Sequence, residues 1–192
     1  ASAAHVREKQ RRFAISLATL SAKPTKREKI VQSGAISMLN FLSTVDDQTV
    51  KRSTSLAYRY LCGSAHLRDQ LIDQGAVHAV VILCLASTRK IQMDCMETLC
   101  NLSAQGGHEQ RMVKEGVATA AVAAIEVSGK FRELGLKVLL NLSCVSEKYN
   151  KIEDVSDAVL RATPALVNSS PLTLALKALC NFSALKAYQS RL

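Results

Sequence analysis

Three stretches of the chain end alike: Leu99-Cys100-Asn101-Leu102-Ser103, Leu140-Asn141-Leu142-Ser143 and Leu179-Cys180-Asn181-Phe182-Ser183. Their asparagines are 40 residues apart each time. A step of 41 back from Asn101 lands on Tyr60, in Ala57-Tyr58-Arg59-Tyr60-Leu61-Cys62, and another lands on Thr19, in Leu17-Ala18-Thr19-Leu20-Ser21. A second marker keeps the same beat. Gly34, Gly75 and Gly116 are 41 apart, each after a mixed apolar–polar stretch such as Lys29-Ile30-Val31-Gln32-Ser33 or Gln70-Leu71-Ile72-Asp73-Gln74. Self-similarity at a period near 41 is the signature of a repeat architecture, in which each unit buries its apolar face only by stacking on its neighbours.

Each unit divides into three helical pieces. A short helix, residues 25–33 in the first copy, ends at a glycine able to take the left-handed conformation and turn the chain. A second helix, Ala35–Leu42 or Ala76–Ala86, is apolar on most sides and therefore buried. A polar break follows at Thr44 to Asp47, Ser87-Thr88, Ser128-Gly129 or Ser169-Ser170, and a longer third helix runs to the asparagine. Leu134, Leu136, Val138, Leu139, Leu140 and Leu142 nearly encircle one third helix, as packing on both sides requires. Pro171 after Ser170 is placed for a first helical position behind a capping serine. In the fourth unit Ser156 replaces the glycine and Pro164 falls within the second helix, which predicts a kink or an early end near Thr163.

Composition agrees with helices and with little else. The 192 residues contain 48% hydrophobic and only 4% aromatic side chains, with no Trp, 3 Pro and 8 Gly. Turns are too scarce for a sandwich or barrel. No apolar run approaches a membrane span and no secretory leader is visible. The net charge of +9 is concentrated: residues 1–30 hold eight Lys and Arg against two Glu, a local +6. The six cysteines, Cys62, Cys84, Cys95, Cys100, Cys144 and Cys180, form no metal-ligand spacing and sit among apolar residues, so they are expected to be reduced core residues of an intracellular protein.

The 40–42-residue period, with its short helix, glycine, buried helix and long helix ending in Asn-Leu-Ser, resembles the armadillo repeat family. HEAT repeats are the near alternative, but the period and the glycine markers favour armadillo. The resemblance covers essentially the whole chain: residues 1–23 as the third helix of a preceding repeat, repeats at 24–63, 64–104, 105–145 and 146–184, and the start of another at 185–192. It implies one continuous all-α, right-handed α-α superhelix and a piece of a longer solenoid. It also implies that the third helices line a concave groove in which an asparagine pins the backbone of a bound segment through its amide, which both donates and accepts. Asn101, Asn141 and Asn181 match that position, with Tyr60 and Thr19 substituting.

Residues one and two turns earlier share that helix face. They are Leu56 and Arg52, Glu97 and Asp94, Lys137 and Glu133, Lys177 and Thr173, and Ile15 with Arg12 and Arg11. Members of the family that carry nuclear-import signals place a Trp four residues before the asparagine. Here Leu56, Glu97, Lys137 and Lys177 stand there, which argues against a basic import signal as cargo. The face alternates in sign and would prefer a partner of complementary alternation. Each asparagine has a second reading as a helix-ending residue that ties down the next loop.

Nothing in the sequence speaks for catalysis. His5, His66, His78 and His108 share no spacing, and there is no phosphate loop, nucleophile elbow or zinc-protease motif. No cofactor, metal or small-molecule substrate is expected. The expected function is a non-enzymatic, cytoplasmic (or nuclear) scaffold that grips an extended or helical segment of another protein. The alternative is a structural component of a large cytoskeletal or axonemal assembly. Nucleic-acid or anionic-surface binding through the basic N-terminal end ranks third, because no aromatic side chains interleave the charge.

Overall fold

The computed structural model describes residues 3–127, 129–143, 159–160 and 171–183. Among these, eleven α-helices and one 3-10 turn are delimited, and residues 159–160 are also helical. They fall in two compact units, Ala1–Gln105 and Gly106–Leu192.

The first unit holds α1 (Ala3–Ser21), α2 (Pro24–Gln32), α3 (Ala35–Ser43) and α4 (Gln48–Cys62). A 3-10 turn, Ala65–Leu67, then leads into α5 (Arg68–Asp73), α6 (Ala76–Leu85) and α7 (Arg89–Ser103). Pro24 breaks α1 from α2. It sits in the first turn of the new helix, where a missing N–H costs nothing. At Gly34 and Gly75 the chain adopts φ of 77° and 84°, which swings the second helix off the first. Only glycine enters that region without a Cβ penalty.

The third helices α1, α4 and α7 then lie side by side, while α3 packs on α4 and on α6, and α6 on α7. The core fills the space between these two rows. Ile36, Leu39 and Leu42 of α3 meet Val50, Ala57 and Leu61 of α4, all at most 1% exposed. Helix α6 is buried at seven of its ten positions, as a helix apolar on every side must be. At about 1.5–3 kcal/mol per large apolar side chain removed from water, this double row dominates the stability of the unit.

The second unit holds α8 (Glu109–Lys114), α9 (Val117–Ile125), α10 (Lys130–Leu142) and α11 (Pro171–Ser183). Gly116, with φ of 90°, opens α9 as its counterparts open α3 and α6. Helix α10 packs on α9 and α11 on α10. Leu134, Leu136, Val138, Leu139 and Leu142 are buried and Leu140 is half-buried, so the expected encirclement is nearly complete. Helix α11 begins at Pro171 as the sequence predicts. Ser156, Pro164, the expected kink at Thr163, the caps at Ser169 and Ser170, and residues 185–192 lie outside the described residues.

One sequence expectation needs correction. Cys62, Cys84 and Cys95 are buried core thiols, but Cys100 is only half-buried and Cys180 is exposed. Each stands one residue before the repeated asparagine, a position where Leu140 is likewise half-buried. Burial pushes the three core thiols up, Cys84 to about 12.

Candidate partner-binding face

The side-by-side packing of α1, α4 and α7 brings residues one repeat apart within bonding distance, and much of the chemistry found on this face joins neighbouring helices. Arg11 of α1 grips Asp47 through Nε at 2.8 Å and Nη2 at 2.7 Å. Asp47 also caps α4 by accepting from the Thr49 and Val50 N–H groups at 2.9 and 3.0 Å. The hydrogen bond from Arg11 and these N–H donors hold the Asp47 carboxyl below the usual carboxylate range.

The next step along the row uses Asp94. Its side chain is buried, and Arg52 and Arg59 of α4 both reach it, the latter at 3.3 Å. Arg59 also donates to Glu97 at 3.1 Å and lies over the Tyr60 ring, 5.4 Å from its centre. The sign alternation seen in the sequence is thus spent between helices: Arg52 and Asp94 answer each other across one repeat, where a partner was expected to answer them. What this face leaves open is Arg12, Ile15 and Thr19 on α1, together with half-buried Leu56 and Tyr60 on α4.

The asparagines behave likewise. Asn101 Nδ2 donates to Cys62 Sγ at 3.6 Å, and in the second unit Asn181 Nδ2 donates to Ser143 Oγ at 2.8 Å. In both cases the amide reaches the position two residues past its own counterpart in the preceding repeat. Asn141 is half-buried near the end of α10. On α10, Glu133 and Lys137 pair at 2.6 Å one turn apart, while Lys177 and Thr173 of α11 are exposed.

Sequence reasoning passed over four contributors. Arg59, two turns beyond Arg52, completes the ion-pair network. Asn40 of α3 donates to the Gln74 carbonyl at 2.8 Å and accepts from the buried Tyr58 hydroxyl, tying α3 to the end of α5. Arg27 and Arg68, 41 residues apart, each place Nε on the last carbonyl of a third helix, Ser21 at 2.9 Å and Cys62 at 3.0 Å. That spacing was a legible signal. In the third copy Glu109 stands in this register and its carboxylate accepts instead from Gly107 N–H, at 3.0 Å. Among the described residues no group of three His, Cys, Asp or Glu could hold a metal, and no helix is long and apolar enough to cross a membrane.

This pattern of a short helix, a positive-φ glycine, a buried helix and a stacked third helix is shared with solved structures. A set of computationally designed armadillo repeat proteins for modular peptide recognition superposes with a TM-score of 0.75 over 96% of this chain and 79% of the designed one, at 17% identity. The chain has the armadillo fold. A designed armadillo protein in complex with the peptide (KR)4 matches at TM-score 0.68 and 17% identity, over 86% of this chain and 72% of that one. The armadillo-repeats-only protein of Plasmodium falciparum matches at 0.69 and 14%, over 88% and 78%. No family model and no curated protein matches the sequence. The armadillo likeness is one of three-dimensional structure at low identity.

Proposed function

We propose that this chain is a non-enzymatic scaffold that binds an extended segment of another protein along its third-helix face. The observation that carries the proposal is the side-by-side stacking of α1, α4 and α7, which presents like positions of successive repeats at a regular interval. A bound chain in extended form matches such a row because its own side chains recur regularly. The designed armadillo protein that holds (KR)4 supports a peptide-binding use of this fold.

On this reading Arg12, Ile15, Leu56, Tyr60 and Lys177 make the contacts, and Arg11, Arg52, Asp94, Glu97, Glu133 and Lys137 stiffen the face through their ion pairs. Asn101 and Asn181, whose amide donors hold the stack, and Asn141 in register with them line the same face. The repeat boundaries given above, and a reducing compartment for the apolar cysteines, the cytoplasm above all, are part of the same proposal.

The test is proximity labelling with mass spectrometry on the full-length protein. Two variants are compared with it, one carrying Asn101→Ala, Asn141→Ala and Asn181→Ala and one carrying Arg12→Glu, Tyr60→Ala and Lys177→Glu. The second set removes contacts without touching the amide bonds between helices. Selective loss of the same one or few partners from both folded variants supports the scaffold. A large assembly that survives both sets of changes overturns it in favour of a permanent cytoskeletal or axonemal component.

A further inference from the structure

Helix α4 has a third helix packed on each side, α1 and α7, so its outer face is that of an interior position in the row. One residue there breaks the rule that the repeats set. Asn101 Nδ2 donates to Cys62 Sγ at 3.6 Å and Asn181 Nδ2 to Ser143 Oγ at 2.8 Å, each amide reaching the preceding third helix. The same step of 39 residues from position 60 leads to Ser21 of α1, and Tyr60 has no amide to give it. The Ser21 side chain is wholly buried, and its Oγ has no hydrogen-bond partner among the described residues. A buried hydroxyl left without a partner weakens the stack. A structural bond is thus forgone at this repeat, and such departures concentrate where a residue serves function rather than packing.

Tyr60 is placed to be a contact instead. Its ring is half-buried, and the Arg59 guanidinium lies over it, 5.4 Å from its centre, within cation–π range. Arg59 is itself fixed by Asp94 at 3.3 Å and Glu97 at 3.1 Å, which gives the ring a rigid backing on a helix. Leu56, one turn earlier, is half-buried on the same face. The other copies pair an asparagine with a charge at that spacing: Asn101 with Glu97, Asn141 with Lys137 and Asn181 with Lys177. Here a ring and a leucine stand together, which suits a large apolar side chain. The rim of this patch is electropositive although its ion pairs are made. The Asp94 and Glu97 side chains are 9% and 22% exposed, against 30% for Arg52 and 35% for Arg59. The carboxylates are tucked in and the guanidiniums show to solvent, so an acidic neighbour to the apolar side chain is favoured and a basic one repelled.

We propose that Tyr60 and Leu56 form the selectivity site of the third-helix face. They seat a Leu, Met or Phe side chain of the bound segment, with an Asp or Glu beside it against the Arg52 and Arg59 guanidiniums. This rests on the reading of that face as a surface for an extended segment of another protein, and it specifies which segment the face takes.

The test pans a phage-displayed library of short random peptides against the full-length protein and measures the enriched peptides by fluorescence anisotropy. They are expected to share a Leu, Met or Phe next to an Asp or Glu. The informative variant is Tyr60→Asn, which offers Ser21 the amide that the other repeats supply. Its thermal midpoint should equal or exceed the parent's, so lost binding is not lost folding. Peptide affinity should fall about tenfold or more in Tyr60→Asn and stay within about threefold in Tyr60→Phe, which keeps the ring. Enriched peptides that are basic, or that lack the apolar residue, overturn the proposal. Peptides weakened by Arg12→Glu with Lys177→Glu but indifferent to Tyr60→Asn also overturn it, while leaving the binding face in place. Peptides indifferent to all of these changes overturn the face itself and the site with it. Failure to enrich any peptide, as when a segment of the same polypeptide already fills the face, overturns the proposal too.

Discussion

Asp94 shows how one side chain ties two repeats together. Its carboxylate is buried and answered by two arginines from the preceding third helix. Removing it takes the counter-charge from Arg52 and leaves Arg59 with Glu97 alone. Asp94→Ala should therefore cost about 2–3 kcal/mol, at the low end for a broken buried pair because both guanidiniums retain some water. The measurement is a urea midpoint by circular dichroism, and a change under about 0.5 kcal/mol would show the network to be idle. The cysteines separate at the same scale. Cys180 is exposed and should react with a disulfide reagent at pH 8 in the native state. Cys62, Cys84 and Cys95, whose thiols burial pushes up, should stay unmodified until the chain unfolds. Native-state labelling of Cys95 would contradict the packing of α6 on α7.

Between elements, two contacts decide how helices meet. Helix α10 approaches α9 through Gly135, where an added Cβ would fall 2.7 Å from a backbone oxygen and 3.0 Å from the Ala124 Cβ. On an exposed helix Gly→Ala stabilises by about 1 kcal/mol. Here Gly135→Ala should instead destabilise by about 1–3 kcal/mol, because the backbone of α9 has to move. A rise in the thermal midpoint would refute the close approach.

Asp47 joins the start of α4 to Arg11 of α1, and Asp47→Ala should lower stability by about 1 kcal/mol through the lost cap. Its carboxyl titrates below its unfolded value in the native state, so the stabilisation is fully present above pH about 4. It is lost as pH falls through the lowered native value. Acid titration of the midpoint should accordingly separate parent from variant near neutrality and bring them together only once the pH has fallen below the lowered native value.

For the whole molecule, charge is the property that acts at a distance. The +9 of the chain, most of it within residues 1–30, attracts any polyanion. Binding to a labelled single-stranded DNA of mixed sequence should show no base preference and should weaken by about tenfold or more between 50 and 150 mM salt. Fluorescence anisotropy across that range is the check. Affinity that persisted at high salt, or that distinguished bases, would return nucleic acid to the front rank of partners.

Much of the architecture was legible because it is written locally. The spacing of apolar residues marks each helix, and a glycine 41 residues after the last marks the entry to each of the second helices α3, α6 and α9, so α1 to α10 stand within a few residues of where periodicity puts them. The candidate face was legible only as a set of aligned positions. Which of its groups pair within the stack and which stay open was settled by the offset at which one third helix packs on the next, because a shift of one residue rotates a side chain by about 100° around its helix. That offset turned Asp94 toward Arg52 and Arg59, gave the Asn101 and Asn181 donors to the preceding helix ends, and left Cys180 outside. The sequence alone thus determined the repeat, the helices and their turns. The pairing of charges and amides across 35 to 42 residues belongs to the tertiary structure, since no local preference couples groups so far apart in the chain.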